Sequence, residues 1–190
     1  MAERADLPLF AWGDARRARR LTRRQLLAHA APLGFGCLCL AATILARPLP
    51  RLVWNASASA PVGLYRVNPG APVGRGDLVI ARTPSSVRDL AAARLYVPAN
   101  VPLVKRVAAV AGDQICAVGA RIAIDRRPRA TRRLRDRLGR PLPWWTGCRT
   151  LRTGMAFLLM DGVPDSFDGR YFGPTPVRDI IGKATPLWVR

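Results

Sequence analysis

Ser59 and Lys105 are the residues best suited to covalent chemistry in this chain of 190 amino acids. Ser59 stands in Ser57-Ala58-Ser59-Ala60-Pro61-Val62-Gly63, among small side chains and shortly before a proline, a composition that suits a turn leading into a strand. An attacking serine needs exposed, unusual backbone close to N–H donors that can hold an oxyanion. Lys105 stands in Val101-Pro102-Leu103-Val104-Lys105-Arg106-Val107, which leads into Gly112-Asp113. Of the 31 basic residues only Lys105 and Lys183 are lysine. Arginine stays protonated in proteins, whereas burial can drive lysine to a neutral amine that accepts a proton. Strand alternation puts Leu103, Lys105 and Val107 on one face, a setting that would desolvate the amine. The chemistry on offer is attack by a serine hydroxyl whose proton passes to a neutral lysine.

A third segment could support such a pair. Asp161-Gly162-Val163-Pro164-Asp165-Ser166-Phe167-Asp168-Gly169-Arg170-Tyr171-Phe172-Gly173-Pro174 is a polar loop between apolar runs. Its Ser166-x-Asp168-x-Arg170 core could orient a base by hydrogen bonds and an Asp–Arg pair. Taken singly, each segment also has an ordinary reading. The first reads as a Ser/Ala linker, the second as an exposed edge-strand lysine that discourages aggregation, the third as a turn-rich hairpin connection.

The elements that must position these residues begin with a membrane span. Residues 25–46 contain no Asp, Glu, Lys or Arg, and the 21 residues Leu26–Ala46 are mostly apolar. As a helix they reach about 30 Å, the thickness of a bilayer core. His29, Pro32, Gly34 and Gly36 weaken that helix, which leaves a cleaved signal sequence or a buried hairpin as alternatives to an uncleaved anchor. Arg4, Arg16, Arg17, Arg19, Arg20, Arg23 and Arg24 precede the run, and Arg47 and Arg51 follow it. The positive-inside rule then puts the N-terminus in the cytoplasm and the rest across the membrane. The expected organisation is a basic cytoplasmic tail (1–24), a single-pass signal anchor (25–46), a tether (47–54) and an exported domain (55–190).

The exported part reads as mainly β. Short β-rich runs recur at Leu64–Val67, Asp77–Ala81, Leu103–Val110, Gln114–Val118, Arg121–Ile124, Ala156–Met160 and Ile180–Val189, separated by Pro and Gly. One helix is expected around Ser85–Leu95. A barrel-like or folded-sheet domain follows. Cys37 and Cys39 lie in the apolar run, whereas Cys116 and Cys148 lie in the exported part, where oxidising conditions favour a disulfide over two free thiols.

Composition narrows the function. The net charge of +19 raises nucleic-acid binding, but the arginines are spread, with clusters near the anchor and in Arg126–Arg140, and no aromatic stripe accompanies them. A solvated basic surface that can meet anionic lipid accounts for the charge, and nucleic acid is not the expected partner. No metal or cofactor is expected, since the single histidine is His29 and no Cys-x-x-Cys occurs. His29, inside the anchor, also cannot serve a Ser-His-Asp triad or a Cys–His pair across the membrane. A lysine base is the remaining way to activate a serine. At an unperturbed pKa such a lysine would be less than ~0.1% neutral at pH 7, so burial must lower it.

In order and spacing, the three segments resemble the serine, lysine and C-terminal boxes of type I signal peptidases (the serine/lysine, S26-like family), most closely its conjugative-transfer, TraF-like branch. The resemblance rests on Ser59–Tyr65, on Lys105-Arg106-Val107 with Gly112-Asp113, and on Ser166–Pro174. It implies a signal-peptidase-like β fold in which Ser59 attacks the scissile carbonyl and Lys105 is the general base. It also implies an oxyanion hydroxyl from Ser57 beside the Ser59 N–H, a Lys105 positioned by Ser166, and an Asp168–Arg170 pair. Cys116 and Cys148 resemble the cysteine pair of that branch. Ala60 stands where general signal peptidases usually carry Met, and Asp161-Gly162-Val163 replaces their Gly-Asp-Asn. The expected function is an inner-membrane peptidase with a periplasmic domain. It would process exported precursors, a conjugative propilin foremost, by cleavage or by cyclisation, alongside conjugation or secretion machinery. General signal peptidase activity and a non-catalytic scaffold of such machinery are the alternatives.

Overall fold

The structure, a computed structural model, describes residues 23–46 and 48–190. Most of the expected cytoplasmic tail, residues 1–22, lies outside the described residues, as does Arg47. Two compact units emerge, divided after Pro48.

Among the described residues the first unit contains one helix, α1 (Arg23–Ala46), which continues through Pro32. Proline removes a backbone donor and crowds the preceding turn, yet proline and glycine are more common in membrane helices than in soluble ones. Leu26–Ala46 is long and apolar enough to cross a membrane. Its large side chains, among them Leu33, Phe35, Leu38 and Ile44, are exposed. A protein surface of that kind calls for lipid rather than water. A membrane anchor or a signal sequence has this form.

The second unit, Leu49–Arg190, is mainly β. Its first part runs β1 (Leu52–Asn55), β2 (Gly63–Pro69), β3 (Leu78–Ala81), α2 (Ser85–Ala93) and β4 (Leu103–Ala109). Then come β5 (Gln114–Val118), β6 (Arg121–Ile124), β7 (Arg127–Thr131) and β8 (Gly147–Thr150). The last part is β9 (Met155–Leu159), the single-turn α3 (Gly169–Phe172), β10 (Thr175–Pro176) and β11 (Ile180–Val189). These strands make two antiparallel sheets rather than one. A seven-stranded sheet has the order β1-β2-β11-β3-β4-β9-β10, and a four-stranded sheet the order β7-β6-β5-β8. The smaller sheet and its connections form an insert between β4 and β9.

Strand order explains how distant segments meet. The β1–β2 hairpin carries the serine segment, β4 carries Lys105, and β11 lies in the sheet between those two halves. Gly63, the first residue of β2, has φ 151° and sits against β11 so tightly that a Cβ would overlap the Trp188 carbonyl. Only glycine allows β11 to close on the serine hairpin there.

Three apolar clusters hold the unit together. Ala60, Tyr65, Val67, Ile80 and Val104 pack beneath the serine loop. Val79, Ala81, Val107, Ala156 and Leu158 pack within β3, β4 and β9. Phe157 and Leu159 of β9 join Ile115, Ile122 and Ile124 of the smaller sheet. Each fully buried aliphatic or aromatic side chain contributes about 1.5–3 kcal/mol.

Several boundaries differ from expectation. Leu52–Trp54, expected to be tether, join Asn55 in β1, which pairs with Gly63–Arg66. Helix α2 stops at Ala93, and Leu95 takes a left-handed φ of 59°. Strands β7, β8 and β10 were not expected. β7 reads Arg-Pro-Arg-Ala-Thr and β8 Gly-Cys-Arg-Thr, and neither shows a buried–exposed alternation. Pro128 can stand in β7 because β7 is an edge strand.

Candidate active site

The loop after β1 is organised by one buried side chain. Asn55 is 7% exposed and ends β1, opposite Gly63. Its Nδ2 donates to the carbonyls of Ser57 at 2.9 Å, Ala60 at 3.0 Å and Pro61 at 3.0 Å. Its Oδ1 accepts from Ser57 N at 3.1 Å. Tyr65 Oη adds a bond to Pro61 O at 2.6 Å. Ala60 is buried in the cluster below, so the residue after Ser59 is a small plug rather than a larger side chain. Loops seldom gain so many buried partners. This one is fixed from both sides, with Ser59 half-buried at its crest.

Lys105 comes from below. It pairs with Val79 on the adjacent strand and is 1% exposed. Its Nζ lies 2.8 Å from Ser59 Oγ and 2.9 Å from Ser166 Oγ. Burial, which penalises the ammonium, pushes its pKa down from 10.5 to about 8; Asp168 opposes the shift and Arg170 adds to it. At pH 7 about one such amine in ten is then neutral. In that state it can take the proton of a hydroxyl within hydrogen-bond reach.

Ser57 is exposed, and its Oγ lies 2.7 Å from Ser59 Oγ and accepts from Ser59 N at 3.2 Å. A hydroxyl and a backbone N–H therefore sit side by side next to the serine oxygen, the donor pair an oxyanion needs. Ser166, Asp168 and Arg170 are all buried at 1% exposure or less. Arg170 Nε and Asp168 Oδ1 form an ion pair at 2.8 Å. Asp168 also accepts from Met160 N at 3.1 Å and caps α3 through Arg170 N at 3.2 Å. The first residue of α3 must be glycine, because a Cβ on Gly169 would meet Leu158 O at 2.7 Å.

The structure thus brings Ser57, Ser59, Lys105 and Ser166 into one chain of contacts, with the Asp168–Arg170 pair alongside. Cys116 and Cys148 face each other across β5 and β8 and are joined by a disulfide. They lie in the other sheet and touch none of these groups. An arginine-lined cavity of about 570 Å³, bounded by Arg75, Arg106, Arg127 and Arg129, includes neither Ser59 nor Lys105. Asn55, Arg132 and Trp145 bear on the site without having been singled out by sequence, and Tyr65, which closes the serine segment, had no role assigned. For Asn55 a signal existed, since Asn-Ala-Ser opens the serine segment, but its partners are carbonyls that no side-chain motif records.

Known proteins resemble the chain along most of its length. It is 35% identical over 177 residues to a probable conjugal transfer protein TraF of Sinorhizobium fredii, covering 86% of this chain and 92% of that one. It is 34% identical over 143 residues to a plasmid transfer protein TraF of Escherichia coli, covering 70% and 80%. A solved signal peptidase I from Enterococcus faecalis aligns with 62% of this chain and all of its own, at 18% identity and a TM-score of 0.37. The family described as signal peptidase, peptidase S26, matches residues 24–189, which take in all of α1 but Arg23 and every strand of both sheets, and the chain belongs to that family.

Proposed function

We propose that this protein is a membrane-anchored serine endopeptidase of exported precursors, with Ser59 as nucleophile and Lys105 as general base. One observation carries the reading. Lys105 Nζ lies 2.8 Å from Ser59 Oγ in an apolar setting that holds the lysine at a pKa of about 8. Neutral Lys105 takes the Ser59 proton as Oγ bonds to the scissile carbonyl carbon, and negative charge moves to the carbonyl oxygen. The Ser57 hydroxyl, turned from Ser59, and the Ser59 N–H donate to that oxygen. Collapse breaks the C–N bond, and the Lys105 ammonium returns its proton to the leaving amine. Water then releases the acyl group through the same base.

The arginines before α1 support an N-terminus in the cytoplasm and a catalytic domain on the outer, periplasmic face of the inner membrane. Relatives named for conjugal and plasmid transfer support a propilin of a conjugation apparatus as substrate. If the amine of the pilin itself replaces water at the acyl-enzyme, the two ends join in a circle. Incubating the full-length protein in detergent with candidate propilins, beside Ser59→Ala, tests the whole reading. Mass spectrometry should find a cleaved pilin, or a product one water lighter, with wild type only. Equal product from Ser59→Ala excludes it.

A further inference from the structure

Arg170 has five N–H donors, and all find acceptors. Asp168 Oδ1 and Oδ2 accept at 2.8 and 3.1 Å, Met160 O at 2.8 Å and Pro164 O at 3.1 Å. The fifth acceptor is Thr131 O at 3.3 Å, from the end of β7 in the insert. The next residue, Arg132, is 2% exposed. Its Nη1 donates to Arg170 O at 3.4 Å, while Nε and Nη2 donate to Gly119 O at 3.2 and 2.9 Å. Its guanidinium carbon lies 3.4 Å from the centre of the Trp144 ring. Trp145 Nε1 donates to Gly169 O at 3.0 Å, and Arg133 N donates to Tyr171 Oη at 3.1 Å. Insert groups therefore converge on Gly169, Arg170 and Tyr171, the first three residues of α3.

A buried guanidinium is costly unless its donors are met. The strands of the smaller sheet leave their arginines in water, and Arg132, the residue after β7, is buried. That burial falls where the insert meets the residues beside Lys105.

We propose that the disulfide-closed part of the insert, residues 117–147, is a positioning element of the candidate active site, with Arg132 and Trp145 holding Asp168 and Arg170 in place beside Ser166, the partner of Lys105. The inference rests on the serine/lysine reading above. Asp168 and Arg170 are the charged groups acting on Lys105, and they act in opposite directions. The flanking strands β3 and β9 contribute none, since Leu78–Ala81 and Met155–Leu159 carry no charge. Loosening α3 weakens the hold on Arg170, leaves Asp168 less compensated and favours the ammonium. The insert thus adds, from a distance, to the burial that favours the neutral amine.

The chain has only two lysines, so 13Cε-lysine labelling of the full-length protein in detergent micelles gives two signals, Lys105 and Lys183, to follow by NMR against pH. In Trp145→Phe, which removes one donor and keeps a ring, and in Arg132→Gln, the Lys105 midpoint should rise. An upward shift of about one unit leaves about tenfold less neutral amine at pH 7. Lys183 should titrate as in wild type. Ile122→Val, a core change in the same sheet that removes no hydrogen bond to α3, should leave the Lys105 midpoint in place. If Arg132→Gln fails to fold, Trp145→Phe decides. A Lys105 midpoint unmoved in Trp145→Phe overturns the inference. Processing by Ser59→Ala at the wild-type rate overturns instead the serine/lysine reading, whatever the lysine signals do.

Discussion

In the seven-stranded sheet, β4 is buried at every position but Arg106, and β9 at every position but Met155, which is half-buried. In the four-stranded sheet, β8 is exposed throughout and β7 everywhere except a half-buried Ala130. The first environment can strip water from a lysine and lower its pKa. The second leaves its basic residues hydrated, as in the pairing of Arg133 and Arg137 with Asp165 at 2.9 and 2.8 Å. Exposed pairs of that kind are screened by solvent and stabilise a fold little. A sheet with so little buried on its outer strands gains from a covalent tie, and Cys116–Cys148 joins its β5 and β8. The two lysines repeat the contrast. Lys105 is enclosed, whereas Lys183 on β11 pairs with Asp77 at 2.7 Å with nearly half of its side chain in solvent.

The contrast is open to attack by substitution, and the largest effects belong in the buried sheet. Lys105→Met should lower turnover by about 10³-fold or more, in line with loss of a nucleophile's activator. It should also stabilise the fold near neutral pH. A lysine with a folded pKa near 8 and an unfolded one near 10.5 binds its proton more weakly when folded, so its charge opposes folding below pH 8. That penalty, about 3 kcal/mol, fades as the pH rises from 8 to 10.5. Urea titrations of both proteins at pH 7 and pH 10 should show the gap shrink, and an equal gap at both would contradict a desolvated lysine.

Removing the tie in the exposed sheet, as Cys116→Ser with Cys148→Ser, should cost about 3–4 kcal/mol for a loop of this length. Thermal melts in oxidising buffer check it, and no loss would mean that the smaller sheet is held by packing alone. Asn55→Ala comes next. Leaving the Ala60 and Pro61 carbonyls without Nδ2 should cost about 1–3 kcal/mol in chemical denaturation and slow processing as well. Lys183→Ala sets the lower end, with a loss below about 1 kcal/mol in the same assay. The Lys183 side chain holds the Asp77 carboxyl below its ordinary range, so whatever the pair contributes is lost as the pH falls through that lowered value.

Reactive residues were easier to read from the sequence than the residues that hold them. Ser59 and Lys105 are visible because hydroxyl and amine types in small-residue and apolar contexts point to chemistry, and β4, β5, β6 and β11 are visible because apolar residues dominate them. Asn55, Arg132 and Trp145 act on backbone carbonyls, and a carbonyl has no letter in the sequence. Arg132 in particular is one arginine in a run of them, and only its place between Trp144 and α3 sets it apart. β7 and β8 escaped notice for a related reason, since partners across the sheet rather than their own pattern define them.

β11 is made after both halves it unites. A growing chain has its hydroxyl hairpin and its lysine strand in hand well before β11 arrives to lie between them. Until then the two groups belong to separate pieces of sheet. The approach of Lys105 to Ser59 is thereby delayed to a late moment of biosynthesis.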